Sequence, residues 1–128
     1  MIVITLPFPI SVNAMFADGK TRRHKSQRYC DWILEAGYAL NKQRVIPVRG
    51  PVKLTYEVQD GKDGRRRDIG NLEKGCTDLL VEHGIIEADH DLIVRELSMV
   101  WNREVKGVRV TITPVSNRVI ETQDAGTA

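Results

Sequence analysis

Strict alternation of apolar and polar side chains over residues 52–59 is the feature that most limits how this chain folds. Val52, Leu54, Tyr56 and Val58 interleave with Lys53, Thr55, Glu57 and Gln59, the period-two pattern of a strand with one buried and one wet face. Residues 108–115 repeat it. Half-buried strands need a covering layer, and two stretches of helical periodicity supply one. Ser26 suits the cap of a helix to Lys42, with Tyr29, Ile33, Ala36 and Leu40 inward and Trp32 widening the stripe. A second helix is expected from Ile69 or Asn71 to His83, with Leu72, Cys76, Leu79 and Leu80 inward and Gly84 as its stop.

The remaining elements follow from composition and breakers. Residues 1–6 are apolar and β-branched until Pro7 and Pro9 end them, which predicts a strand. Residues 10–25 read as a long loop and residues 92–101 as a strand. The order β-α-β-α-β-β implies a single α+β domain over residues 1–115, a mixed β-sheet with two main helices packed on it. Residues 116–128 form a polar tail, expected to be loosely held. A length of 128 residues suits one core.

No apolar run approaches the ~20 residues that span a bilayer. The N-terminus has neither a basic region nor a small-residue cleavage site, so the expectation is a cytoplasmic protein with no membrane partner. Cys30 and Cys76 lack metal-ligand spacing and read as reduced core thiols. The net charge of +2 decides little, but its distribution does. Lys20, Arg22, Arg23 and Lys25 form one basic cluster, and Lys62, Arg65, Arg66 and Arg67 another, which suggests a surface facing a polyanion.

The chemistry gathers in residues 65–91. A polar loop delivers Asp68 to the start of a helix, where Asn71, Lys74 and Asp78 share one side. The connection after that helix brings Glu87, Asp89 and Asp91 together. Carboxylates are the hard oxygen donors that Mg²⁺ or Mn²⁺ prefers, a lysine beside them stabilises charge on a phosphate, and arginines hold flanking phosphates. That is the equipment of phosphodiester hydrolysis. Each piece also has a plain structural reading. Asp68 suits a helix cap, Lys74 a solvated helix surface, the acids an exposed turn and the arginines a solvated loop; spacing alone leaves both readings open.

The register of the whole motif adds to this. Arg66-Arg67-Asp68-Ile69-Gly70-Asn71-Leu72-Glu73-Lys74, then Asp78-Leu79-Leu80, then Gly84-Ile85-Ile86-Glu87-Ala88-Asp89, resembles the RusA-type Holliday junction resolvases, small endodeoxyribonucleases of bacteriophages and prophages. Leu6-Pro7-Phe8-Pro9 with Ser11 and Asn13, and the placement of Ser26 and Tyr29, are similar to that family's opening. The resemblance implies a homodimer that binds four-way DNA junctions and cuts them with Mg²⁺ or Mn²⁺ in recombination and repair. It implies Asp68 and Asp89 as metal ligands, Lys74 as the catalytic lysine and Asn71 as support. Arg65, Arg66, Arg67, Lys20, Arg22, Arg23 and Lys25 are the implied DNA contacts.

One position departs. The family pattern reads Asp-x-Asp-Asn, and this chain reads Asp68-Ile69-Gly70-Asn71. The glycine is either natural, with Glu87 or Asp91 as substitute ligand, or a one-base substitution of the aspartate. The resemblance therefore implies either a resolvase or a catalytically impaired, branched-DNA-binding dimer. A purely structural or interaction domain leaves the motif register unexplained.

Overall fold

A computed structural model describes residues 1–116. Four strands form one sheet in the order β1-β6-β4-β5: β1 (Ile2–Leu6), β4 (Val52–Gln59), β5 (Val94–Asn102) and β6 (Val108–Pro114). β6 pairs antiparallel with both β1 and β4, while β4 and β5 run parallel, so the sheet is mixed. The alternation of residues 52–59 is realised in full: Val52, Leu54, Tyr56 and Val58 are 0% exposed. Against that face lie α1 (Gln27–Lys42) and α2 (Lys74–Glu82), closing a core that joins Ile4, Trp32, Leu54, Leu80 and Val110. The α+β reading with two main helices holds.

Ser26 caps α1. Its hydroxyl accepts from the Tyr29 amide at 3.1 Å and donates to the Ala14 carbonyl at 2.6 Å, so the cap also pins the preceding loop. Such a cap contributes about 1 kcal/mol. Gly84 stops α2 as expected. At φ 69° its amide bonds Val81 O at 3.0 Å and the next amide bonds Leu80 O at 2.8 Å, the paired bonds of a Schellman end. Gly107 shares that left-handed torsion, and a Cβ there would also collide with the Leu6 carbonyl of β1.

Three boundaries differ from expectation. The second helix starts at Lys74, not at Ile69 or Asn71; a separate 3₁₀ turn, Ile69–Asn71, precedes it. Leu72 is buried in phase with Cys76, so the apolar period runs unbroken across the backbone break. The long loop contains a hairpin of β2 (Phe16–Asp18) and β3 (Arg23–Lys25), exposed throughout and so without an apolar signature. β5 starts at Val94; Leu92 is 58% exposed in the turn before it. Cys76 is buried and Cys30 half-buried, both as free thiols. The expected tail, from residue 117 onward, lies outside the described residues. No described helix is long and apolar enough to cross a membrane.

Candidate active site

The loop after β4 is organised by one acid. Asp63 takes both guanidinium nitrogens of Arg67, at 2.7 and 2.8 Å, and the Arg65 amide at 3.1 Å. The Arg67 hydrogen bonds, then that amide, hold the Asp63 carboxyl well below the usual carboxylate range. Lys62 and Arg67 both lie 4.9 Å from the centre of the Phe8 ring, a cation-π seat that fastens the loop to the chain's opening. Arg67 is thus engaged twice. The exposed Arg65 and Arg66 side chains have no ion-pair or hydrogen-bond partner among the described residues.

Asp68 follows in an extended conformation. It stands at the cap position of the 3₁₀ turn, yet its side chain makes no capping bond, so this exposed carboxylate is left open. Asp68, Asn71, Arg65 and Arg66 line a cleft of about 340 Å³ whose other wall includes Ser11, Asn13 and Arg28. At Gly70 the backbone has no left-handed torsion and an added Cβ would meet nothing within 4 Å. Nothing in the packing requires glycine there.

Lys74 opens α2. Its ammonium lies 3.0 Å from Asp78 and 3.5 Å from Asp89. The Asp78 hydrogen bond, reinforced by the charges of Asp78 and Asp89, raises the lysine's pKa and keeps it cationic. A polar chain under the helix fixes this end of it. Tyr56 Oη meets Thr77 Oγ1 at 2.6 Å, and Thr77 donates in turn to the Glu73 carboxylate. Burial pushes the Tyr56 phenol well above its ordinary value, so it remains a hydrogen-bond donor. Beside this end, Lys25, Tyr29, Gly75, Asp78 and Asp89 line a cleft of about 310 Å³. Burial, then the Asp78 charge, raises the Tyr29 phenol as well. The β2–β3 hairpin delivers Lys25 here; Lys20, Arg22 and Arg23 are exposed along it, with Arg23 5.1 Å over the Phe16 ring.

The fold thus brings Lys74, Asp78 and Asp89 together, and sets Asp68 with Arg65 and Arg66 in two clefts, one also lined by Asn71, that share no lining residue with the cleft beside Asp89. Glu87 turns elsewhere and accepts the Gly50 amide at 3.2 Å. Asp91 is exposed in the turn before β5, where its carbonyl accepts from Arg95. Asp68 and Asp89 are exposed hard oxygen donors and fit Mg²⁺ or Mn²⁺ in kind. In number they do not make a site by themselves: no group of three His, Cys, Asp or Glu residues gathers as a metal cluster among the described residues. Sequence reasoning missed Arg28 and Trp101, which reach the clefts only through α1 packing and strand pairing and leave no local signal.

A family model described as Endodeoxyribonuclease RusA matches residues 7–113. Crossover junction endodeoxyribonuclease RusA of Escherichia coli (strain K12) is 34% identical over 119 residues, covering 89% of this chain and 95% of that protein. The protein of the same name from Shigella sonnei (strain Ss046) is 33% identical over the same length and coverage.

Proposed function

The chain belongs to the RusA endodeoxyribonuclease family, and from that premise we propose that it resolves four-way DNA junctions in recombination and repair, as a homodimer using Mg²⁺ or Mn²⁺. The observation that carries this is the Lys74 ammonium 3.5 Å from the Asp89 carboxylate, inside the matched span. Asp68 and Asp89 hold the ion, with Asn71 as support. When bound by these residues, such an ion would supply Lewis-acid polarisation of the phosphate and of the attacking water. Lys74, held by Asp78, presents a fixed positive charge to the phosphate as charge develops on it. Arg65 and Arg66 have guanidinium groups available for flanking phosphates, and Arg67 shapes the loop that presents them. Lys20, Arg22, Arg23 and Lys25 extend the basic surface along the hairpin. A two-fold dimer suits the near two-fold symmetry of a junction. The proposed domain comprises residues 1–115.

Gly70 favours a second reading, junction binding with impaired cleavage, because it supplies no carboxylate where Cβ space is open. If the glycine is instead natural and the chain still cuts, Glu87 or Asp91 is the substitute ligand, though Glu87 is occupied by the Gly50 amide. A synthetic four-way junction separates the two. The chain and its Gly70→Asp form are compared for Mg²⁺-dependent nicking and for mobility-shift binding. Nicking by both supports the resolvase; nicking by Gly70→Asp alone supports the impaired form. If neither nicks nor binds branched DNA, both readings fail.

A further inference from the structure

Trp101 stands opposite Val58 in the parallel β4–β5 register, so its ring leaves the sheet on the helix-covered face rather than the outer one. Where β4 gives way to the basic loop, Asp60 is tied to the end of β5: its amide bonds Asn102 O at 3.3 Å and its carboxylate pairs with Arg103 at 3.5 Å. The ring is thereby fixed beside the loop. Together Trp101, Lys62, Arg65, Arg66, Gln59 and Asp68 line a cleft of about 510 Å³.

The ring is 38% exposed, and it has no aromatic or cation partner among the described residues. Phe8 and Phe16, by contrast, are each covered by a cation. An uncovered indole set among unpaired guanidinium groups combines the two parts of a single-strand platform: a π-face for a base and cations for its phosphates.

We infer that Trp101 and its cleft bind an unstacked nucleobase of the DNA, ring on ring, while Arg65 and Arg66 hold the phosphates on either side. This rests on the DNA-directed reading above and sharpens it. Bases at a branch point lack a continuous stack, so they leave the duplex at lower cost than bases inside a linear one. The platform therefore adds to the preference for branched over linear DNA.

The test uses the full chain in EDTA, so that binding is read without cleavage. The probes are a synthetic four-way junction and a linear duplex of matching sequence. Trp32 is 4% exposed in the core, so a fluorescence change on binding reports Trp101. The junction is expected to quench the wild-type emission. Trp101→Ala is expected to weaken junction binding roughly 10-fold or more and linear-duplex binding by less than ~2-fold. Trp101→Phe keeps a π-face, restores most of the lost affinity and abolishes the quench. Equal junction affinity for wild type and Trp101→Ala, with both still binding, overturns the platform and leaves the DNA reading intact. If Trp101→Ala instead shifts the oligomeric state while each assembled unit binds junctions as before, the ring is a contact between copies and the inference falls. Wild type that binds no DNA sinks the underlying reading, and the platform with it.

Discussion

The Lys74 ammonium stands 3.5 Å from the Asp89 carboxylate, a residue 15 positions further along the chain. Asp78 holds the same ammonium more closely, at 3.0 Å. Removing Lys74 therefore takes away a positioned charge without disturbing the core, since its side chain is 51% exposed. Lys74→Ala is expected to lower the single-turnover cleavage rate about 100-fold or more while junction affinity stays within a few-fold. Quenched-flow cleavage and mobility shift, run on the chain or on its Gly70→Asp form, measure both. A parallel loss of binding would assign Lys74 to DNA docking instead.

A carboxylate at position 70 should tighten the metal site. The added Cβ meets no atom within 4 Å and the backbone there is not left-handed, so Gly70→Asp introduces no clash. Mn²⁺ affinity depends on the number of charged oxygen donors, and the expected gain is on the order of tenfold. Titration of free Mn²⁺ by electron paramagnetic resonance reads this without DNA. An unchanged dissociation constant would mean that position 70 does not face the ion.

Acid should leave the basic loop ordered until well below the usual carboxylate range. Asp63 is depressed by the Arg67 hydrogen bonds first and the Arg65 amide second. A depressed carboxyl contributes order that is complete above its unfolded pKa and is lost as pH falls through the lower folded value. The Arg65 amide resonance, bonded to Asp63, should then show no titration step between pH 7 and about 4. A step near 4 would show the pair to be open in solution. Asp63→Asn should free Arg67 and broaden the loop resonances at every pH.

Much of this was legible in the sequence, and the rest was not, for reasons that differ by residue. β4 and β6 announce themselves because one face of each is buried and the other wet, so burial writes itself into period two. The β2–β3 hairpin has no residue in the core, and its six residues have no pattern to reveal them. The false start of α2 arises because Leu72 continues the helical apolar phase while its backbone only caps the preceding 3₁₀ turn, ahead of the helix. The motif of residues 65–91 is local, so the closeness of Lys74 to Asp78 could be read from an i, i+4 spacing. Arg28 and Trp101 border the same clefts from elements far away in sequence, and only the packing of α1 and the register of β4 with β5 brings them there.

The seating of α2 on β4 hangs partly on Thr77, the one buried polar residue among those described. Its hydroxyl accepts from Tyr56 and donates to the Glu73 carboxylate, joining β4 to the residue before Lys74. Thr77→Val keeps the shape and removes the hydroxyl's bonds to Tyr56 and to Glu73, which leaves the 0% exposed Tyr56 without its partner. The expected cost is about 1–3 kcal/mol, the penalty for a buried donor left unmade. Tyr56→Phe removes only the first bond and leaves Thr77 donating to Glu73, so it should cost nearer ~1 kcal/mol. Urea denaturation of both variants and of the double variant measures the coupling; the double should cost less than the sum of the two singles, because Tyr56→Phe removes the hydroxyl that Thr77→Val would strand. Thr77→Val should also slow cleavage more than Tyr56→Phe does, since only the former releases Glu73 at the start of α2. Equal effects of the two variants on cleavage would separate the buried chain from the positioning of Lys74.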